Sequence, residues 1–180
     1  MEFNKSVSNP LLVGSIELMK AEDTPEHRNM FLGELMKAEF MSPAIVEPAP
    51  QEGEDGKLQI IPGSKVQFPM LSAPDGKRFF MAFTDMREYE KWKEKNPDFP
   101  TFALKLEDYG AMLVRKDAQG NACPALGIVI NPFGANIVIP SQMLIQMLSA
   151  RVAQAKQAAE RQAVRVGAGI RPGGAPDKEQ

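Results

Sequence analysis

Apolar side chains recur at helical spacing in the first part of the chain. Asn9 and Pro10 predict a helix start, because the asparagine oxygen can cap free N–H groups and proline has no donor to leave unpaired; this helix is expected to end near Ala21. Thr24-Pro25-Glu26 repeats the signal, and Pro43 is expected to end the second helix. Its apolar stripe is Met30, Phe31, Leu35 and Ala38. The chain is thus predicted to open with a helical pair.

The middle of the chain alternates strand-like and helical segments. Ala73-Pro74-Asp75-Gly76 predicts a tight turn between two strands, since proline presets φ and glycine accepts a positive φ. Asp85, with Glu88 three residues later, has the form of a capping box and predicts a helix that ends before Pro97. A further strand and helix are predicted at 102–104 and 106–116. Short strands are also expected within 44–46, 58–61, 66–71 and 78–83.

The last third predicts a hairpin and a long helix. Residues 125–130 are continuously apolar, which is typical of a buried strand, and Asn131-Pro132-Phe133-Gly134 turns the chain into a second strand at 136–139. Both strands are expected to lie centrally in their sheet. Ser141 can cap a helix whose alanine-rich second half buries little and is expected to project from the domain. The predicted fold class is α+β, with a mixed, mostly antiparallel sheet and packed helices.

Composition places the chain among soluble globular proteins. It has 180 residues, 43% of them hydrophobic, and a formal charge of −2, so a general affinity for nucleic acid is disfavoured. Residues 141–180 carry +3, which comes in part from Arg151, Lys156, Arg161 and Arg165. Their spacing spreads them around the helix, so a solvated face is favoured over a nucleic-acid or membrane contact. No stretch suits a membrane span or a signal peptide, and a cytoplasmic location is expected.

No set of residues predicts catalysis or metal binding. His27 and Cys123 are the only histidine and cysteine, and neither has a partner at catalytic or ligand spacing. Neighbouring carboxylates such as Glu107-Asp108 are interpreted as helix caps or solvated groups. No catalytic, cofactor or metal residue is therefore assigned, and no cofactor is expected. Tyr89 and Trp92 fall on one helix face, where they either pack on the sheet or form an exposed hot spot.

Several signatures resemble the N-terminal domain of the SseB family, the enhanced serine sensitivity proteins. They are Thr24-Pro25-Glu26, Ala73-Pro74-Asp75-Gly76, Phe83-Thr84-Asp85 and, most specifically, the segment from Gly127 to Gly134, Gly-Ile-Val-Ile-Asn-Pro-Phe-Gly. The resemblance implies an α+β domain, here over residues 1–148, and it implies no catalytic residues. A helical extension over 149–166 and a disordered tail over 167–180 are expected in place of the family's second SseB domain.

Three functional hypotheses follow. The leading one is a non-enzymatic bacterial cytoplasmic binding or adaptor domain that contacts an unknown protein through residues 131–134 and the terminal helix. The alternative is a small hydrolase or transferase that uses carboxylates around Asp85 and Asp108, brought together by folding. The third is a homo-oligomer formed through the terminal helix, on which Leu144, Leu148 and Val152 approximate an apolar seam. The interaction candidates are Asn131, Pro132, Phe133, Gly134, Tyr89, Trp92, Arg151, Arg161 and Arg165.

Overall fold

The chain divides into two compact units, Met1–Ile145 and Gln146–Gln180. A computed structural model describes residues 2–53, 58–96 and 99–167, except for the side chains of Glu2 and of residues 163–167. The predicted disordered tail, apart from Gly167, lies outside the described residues. The division into an SseB-like domain, an extension and a tail stays a prediction.

Five helices and eleven strands occur in the described part of the chain. The helices are α1 (Pro10–Ala21), α2 (Pro25–Leu35), α3 (Met86–Lys93), α4 (Leu106–Val114) and α5 (Ser141–Gly167). The strands are β1 (Glu2–Phe3), β2 (Glu39–Pro43), β3 (Ile45–Glu47), β4 (Gln51–Glu52), β5 (Leu58–Gln59), β6 (Lys65–Gln67), β7 (Met70–Ser72), β8 (Arg78–Ala82), β9 (Thr101–Lys105), β10 (Ala125–Ile130) and β11 (Ile137–Pro140). The α+β prediction is confirmed.

The opening helical pair is confirmed, with two corrections. Asn9 makes no side-chain cap bond at the start of α1, whereas the Thr24 hydroxyl accepts from the N–H of His27 as a cap of α2 should. The second helix does not run to Pro43, because it ends at Leu35 and residues 39–43 form β2. Strand pairing with β9 buries Phe40 and Met41 there, which overrides the helical spacing of Ala38.

Two sheets carry the fold of the first unit. One has the order β1-β9-β2, and the other has the order β11-β10-β8-β7, in which β8 and β10 are parallel and the remaining pairs antiparallel. Met41 and Phe83 exchange two backbone hydrogen bonds of 2.9 Å, which join β2 to the end of β8. The predicted β10–β11 hairpin is present, but β11 is an edge strand in the described residues and not a central one.

The core of the first unit is rich in aromatic and methionine side chains. Tyr109 of α4 is fully buried, and its hydroxyl donates to the carbonyl of Met81 at 3.0 Å. One cluster of buried side chains packs α3 against β2, β8, β9 and β10; its members are Val7, Met41, Met81, Phe83, Tyr89, Trp92, Ala103 and Val129. Met30, which was expected on the buried stripe of α2, is instead exposed. The end of β8 and the start of α3 meet beside this cluster.

Candidate interaction surface

The turn between β10 and β11 is closed by its own backbone. Asn131 and Asn136 have positive φ angles of 48° and 52°, a conformation that asparagine tolerates better than most residues. The carbonyl of Asn131 accepts from the N–H groups of Gly134 and Asn136 at 2.9 and 2.8 Å. The N–H of Asn131 donates to the carbonyl of Ala82 at 2.9 Å. The turn is therefore closed on itself and tied to the end of β8.

The Asn131 side chain is buried and completes both of its hydrogen bonds with Thr84. Its Oδ1 accepts from the N–H of Thr84 at 3.0 Å, and its Nδ2 donates to the Thr84 hydroxyl at 2.8 Å. Thr84 itself is fully buried. A buried amide is stable only when its donors and acceptors are paired, and this pairing fixes the asparagine in one orientation.

The hydrogen bonds continue from Thr84 to three other parts of the fold. The Thr84 hydroxyl donates to Oδ2 of Asp85 at 2.9 Å, and Oδ1 of Asp85 accepts from the N–H of Glu88 at 3.0 Å, which caps α3. Nδ2 of Asn9 donates to the carbonyls of Thr84 and Glu39 at 2.8 and 2.6 Å. We call Asn9, Thr84, Asp85 and Asn131 the Asn131 network; it connects the start of α1, β2, the start of α3 and the turn.

Gly134 rests directly on α3. A methyl group added at Gly134 would overlap the Glu88 carboxylate, whose Oε2 is buried and has no hydrogen-bond partner among the described residues. The other oxygen, Oε1, accepts from Nζ of Lys91. A larger residue at position 134 would therefore displace the end of the Glu88 side chain, whereas glycine leaves the carboxylate in place.

The apex of the turn displays one aromatic side chain. Pro132 is half-buried, whereas Phe133 is 46% exposed. Val138, on the following edge strand β11, is similarly exposed. Residues 131–134 therefore combine a backbone that is fixed by hydrogen bonds with an exposed aromatic ring.

The amino-acid sequence matches the family described as SseB protein N-terminal domain over residues 12–146, more than half of the chain. The chain belongs to the SseB family. The match includes the segment from Gly127 to Gly134 that carried the resemblance, and the recognition is confirmed. No curated protein and no solved structure matches the chain.

The other candidate residues lie in different places. Tyr89 and Trp92 are buried: the Tyr89 hydroxyl donates to the carbonyl of Phe99 at 3.0 Å, and Trp92 stacks on the Phe99 ring with centroids 5.8 Å apart. They pack α3 on the sheet and do not reach the surface. Arg151 and Arg161 are exposed on α5, and the side chain of Arg165 lies outside the described residues.

The carboxylates of the enzymatic alternative are both bound to backbone. Asp85 caps α3, and Oδ2 of Asp108 accepts from the N–H of Lys105 at 2.9 Å at the start of α4. Each bond stabilises a helix start, which accounts for these residues without a reaction. Nδ1 of His27 donates to the carbonyl of Glu22 at 2.6 Å at the surface, and Cys123 is half-buried.

Two further findings concern metals and membranes. In the described part of the chain, no group of three or more histidine, cysteine, aspartate and glutamate residues could hold a metal ion. None of the described helices is long and apolar enough to cross a membrane.

A cleft of about 430 Å³ is lined in part by Met86 and Lys93 of α3. It was not predicted from the sequence. Lys5, on its wall, forms an ion pair of 2.8 Å with Glu39, and this hydrogen bond holds the pKa of Glu39 below its ordinary value. The cleft walls also include Met41, Leu58 and Phe99. These residues come from segments far apart in the sequence, so no local signal could have found them.

Proposed function

We propose that this SseB domain is a non-enzymatic protein-binding module that uses Phe133 as its anchor. One observation carries the proposal: the buried side chain and the backbone of Asn131 hold, by hydrogen bonds, a turn whose apex exposes an aromatic ring. A buried amide is costly unless it is hydrogen-bonded, and both amide atoms of Asn131 are hydrogen-bonded to Thr84 within a surface turn. A fold that needed only a connection between β10 and β11 could use a simpler turn.

Preorganisation is the physical reason for assigning binding to this turn. Aromatic side chains dominate the hot spots of protein interfaces, and a contact that is already held in its bound conformation loses less entropy on association. Phe133 is aromatic, and the backbone of the turn that carries it is already held by hydrogen bonds. Val138 on the edge strand β11 extends the apolar surface, and an edge strand can accept a partner strand through its backbone.

The proposed setting is the bacterial cytoplasm, and the proposed partner is another protein, with no cofactor involved. The basic surface of α5, which includes Arg151 and Arg161, is proposed as a second contact region. The turn and α5 each fit a binding role, because each exposes large side chains at the surface.

An affinity purification with two matched variants tests the proposal. Phe133→Ser should abolish capture of the specific partner, whereas Leu126→Ser, which changes an equally exposed apolar residue of β10 (47% against 46%), should leave capture unchanged. Both variants should melt within a few degrees of the wild type, since neither side chain is in the core. Equal capture by the wild type and Phe133→Ser would remove the turn from the proposal.

A further inference from the structure

The outer face of the helical hairpin is an exposed apolar groove. Leu11 is 70% exposed and Leu18 43% exposed, although both are leucines of a folded helix. Between them lies a groove of about 530 Å³. Its lining includes Pro10, Leu11, Gly14, Leu18, Ala21 and Met30. Apolar surface gathered in one place, unlike scattered exposed leucines, is typical of an interaction site.

This groove lies mostly apart from the face that α1 uses in its own fold. Leu12 and Ile16 are buried residues of α1 that do not line the groove, whereas the buried Ser15 does line it. A methyl group added at Gly14 would meet no atom within 4 Å, so the glycine leaves an open hole in the middle of the groove. A helix that is apolar on both faces is ordinarily covered on both faces.

The second unit presents a narrow apolar stripe along α5. Leu148, Val152, Ala155 and Ala159 recur every three or four residues; Leu148 is half-buried, whereas Val152 is 69% exposed and both alanines are exposed. At about 100° per residue, these four side chains fall on one face of the helix, and Arg151 and Lys156 fall on its two flanks. The stripe is narrow, because two of its four members are alanines.

The two surfaces carry opposite charges. Residues 10–35, which form the hairpin, have five carboxylates and two cations, a formal charge of −3. Residues 146–162 of α5 have three cations and one carboxylate, a formal charge of +2. Glu17 lines the groove itself, so a basic helix bound there meets a carboxylate.

We propose that the groove of one chain binds α5 of a second copy of the same chain. The large side chains Leu11 and Leu18 then face the alanines of the stripe, and Val152 faces the hole at Gly14, so that large residues meet small ones. In the proposed dimer two copies exchange their helices, so that the same groove-to-helix contact forms twice across a two-fold axis. This dimer is independent of the proposed Phe133 contact.

Charge distinguishes this arrangement from direct pairing of two α5 helices. If two α5 helices pair, two surfaces of formal charge +2 meet and repel each other. If α5 binds in the groove, a surface of charge +2 meets the hairpin, whose charge is −3. Salt screens both interactions, with opposite consequences. Groove docking should weaken as the salt concentration rises, and helix-to-helix pairing should tighten.

The test is the mass of the full-length chain in solution, measured by light scattering and sedimentation at several protein concentrations. We expect a dimer at micromolar concentration that dissociates more readily in 0.5 M than in 0.05 M NaCl, roughly the range over which charge screening changes most. Leu18→Glu in the groove and Val152→Glu on α5 should each raise the dimer dissociation constant by at least about 100-fold, since each buries an unpaired carboxylate. Leu11→Glu, at a more exposed site, repeats the groove test with less risk to folding.

A mixture of two defective chains gives the sharpest readout. A heterodimer of Leu18→Glu and Val152→Glu chains retains one intact groove with one intact helix, so mixing two monomeric variants should produce dimer at high concentration. Val114→Glu, at a 62% exposed apolar site on α4, is the control and should leave the wild-type dimer unchanged.

Four outcomes would overturn the proposal. They are a monomeric wild type at all concentrations, a Leu18→Glu and Leu11→Glu pair that both dimerise normally, a mixture that stays monomeric, and a dimer that tightens with salt. The second and fourth would indicate pairing between α5 helices instead.

Discussion

Two asparagines of the same turn share a backbone conformation but differ in their bonds. Both Asn131 and Asn136 have positive φ, yet only Asn131 is buried with two side-chain hydrogen bonds to Thr84. Glycine accepts a positive φ without strain, so substitution by glycine at each site separates the hydrogen bonds from the backbone conformation.

Asn131→Gly should lower the free energy of unfolding by about 2–3 kcal/mol, because it removes two bonds and leaves the buried N–H of Thr84 unpaired. Asn136→Gly should change it by less than about 0.5 kcal/mol. Urea unfolding of both variants measures the difference. Equal effects at the two sites would contradict the assigned role of the Asn131 network.

Two glycines at opposite extremes of crowding give a second prediction. Gly127 in β10 has φ 154°, and an added methyl group there would overlap the backbone carbonyl of Ile139, which cannot move without breaking the hairpin. Gly33 in α2 has open space around it. Gly127→Ala should lower the free energy of unfolding by about 3 kcal/mol or more. Gly33→Ala should raise it by about 0.5–1 kcal/mol, since alanine favours helix.

Thermal melting of the two alanine variants checks these signs. A Gly127→Ala protein as stable as the wild type would show that the crowding at Ile139 is relieved in solution. A Gly33→Ala protein less stable than the wild type would contradict the open environment described for α2.

Tyr109 should make the fold sensitive to high pH. Burial, together with the charge of Asp108, raises the pKa of its hydroxyl well above its ordinary value. A raised pKa in the folded state means that the stabilising contribution is complete below about pH 10 and is lost as the pH rises further, by up to about 1.4 kcal/mol per pH unit.

Tyr109→Phe should therefore remove this loss above pH 10, although it costs about 1 kcal/mol at neutral pH through the lost bond to Met81. Chemical denaturation between pH 7 and 11.5 compares the two proteins. Parallel pH profiles for the wild type and the variant would contradict the assignment to Tyr109.

At the scale of single elements, the start of α3 depends on Asp85. Its carboxylate accepts from both the Glu88 N–H and the Thr84 hydroxyl, whereas Asp108 accepts one N–H at the surface of α4. Asp85→Ala should lower the free energy of unfolding by about 1–2 kcal/mol, and Asp108→Ala should lower it by about 0.5 kcal/mol. Equilibrium unfolding tests the order. If Asp108→Ala were the more damaging variant, the importance of the Asn131 network at α3 would be refuted.

Elements with local signals could be predicted from the sequence. Proline and cap residues marked the start of α1 and α2, and Asp85 marked α3. The strand β2 was missed because its Phe40 and Met41 continue the apolar positions of a helix, and only pairing with β9, more than sixty residues away in sequence, decides between the two. β1 is two residues long and depends on the same distant strand.

The candidate site was predicted in part for the same reason. The turn at 131–134 follows from its own residues, so its position was found, and the exposure of Phe133 fits the expectation. The partners of Asn131 lie 47 residues earlier at Thr84, and Thr84 is bound in turn by Asn9, 75 residues from it. A sequence pattern gives no distance across such a span, and Asn9 was interpreted as a simple helix cap.

At the scale of the whole molecule, the buried polar residues and the exposed apolar surfaces of the SseB domain lie in different places. Asn131 and Thr84 of the Asn131 network are buried, while Phe133 and the outer groove of the hairpin expose apolar surface. Neither surface follows from charge or composition alone. Each depends on which face of an element the fold leaves uncovered.

The central claim is that Phe133 contacts a different protein in the cell. The most direct measurement replaces Phe133 by a photoreactive phenylalanine analogue, with Leu126, equally exposed on the preceding strand, replaced in a matched control, and irradiates living cells. The account predicts one discrete adduct with another protein from position 133 and none from position 126. Equal labelling at both positions, or adducts only with further copies of this chain, would contradict it.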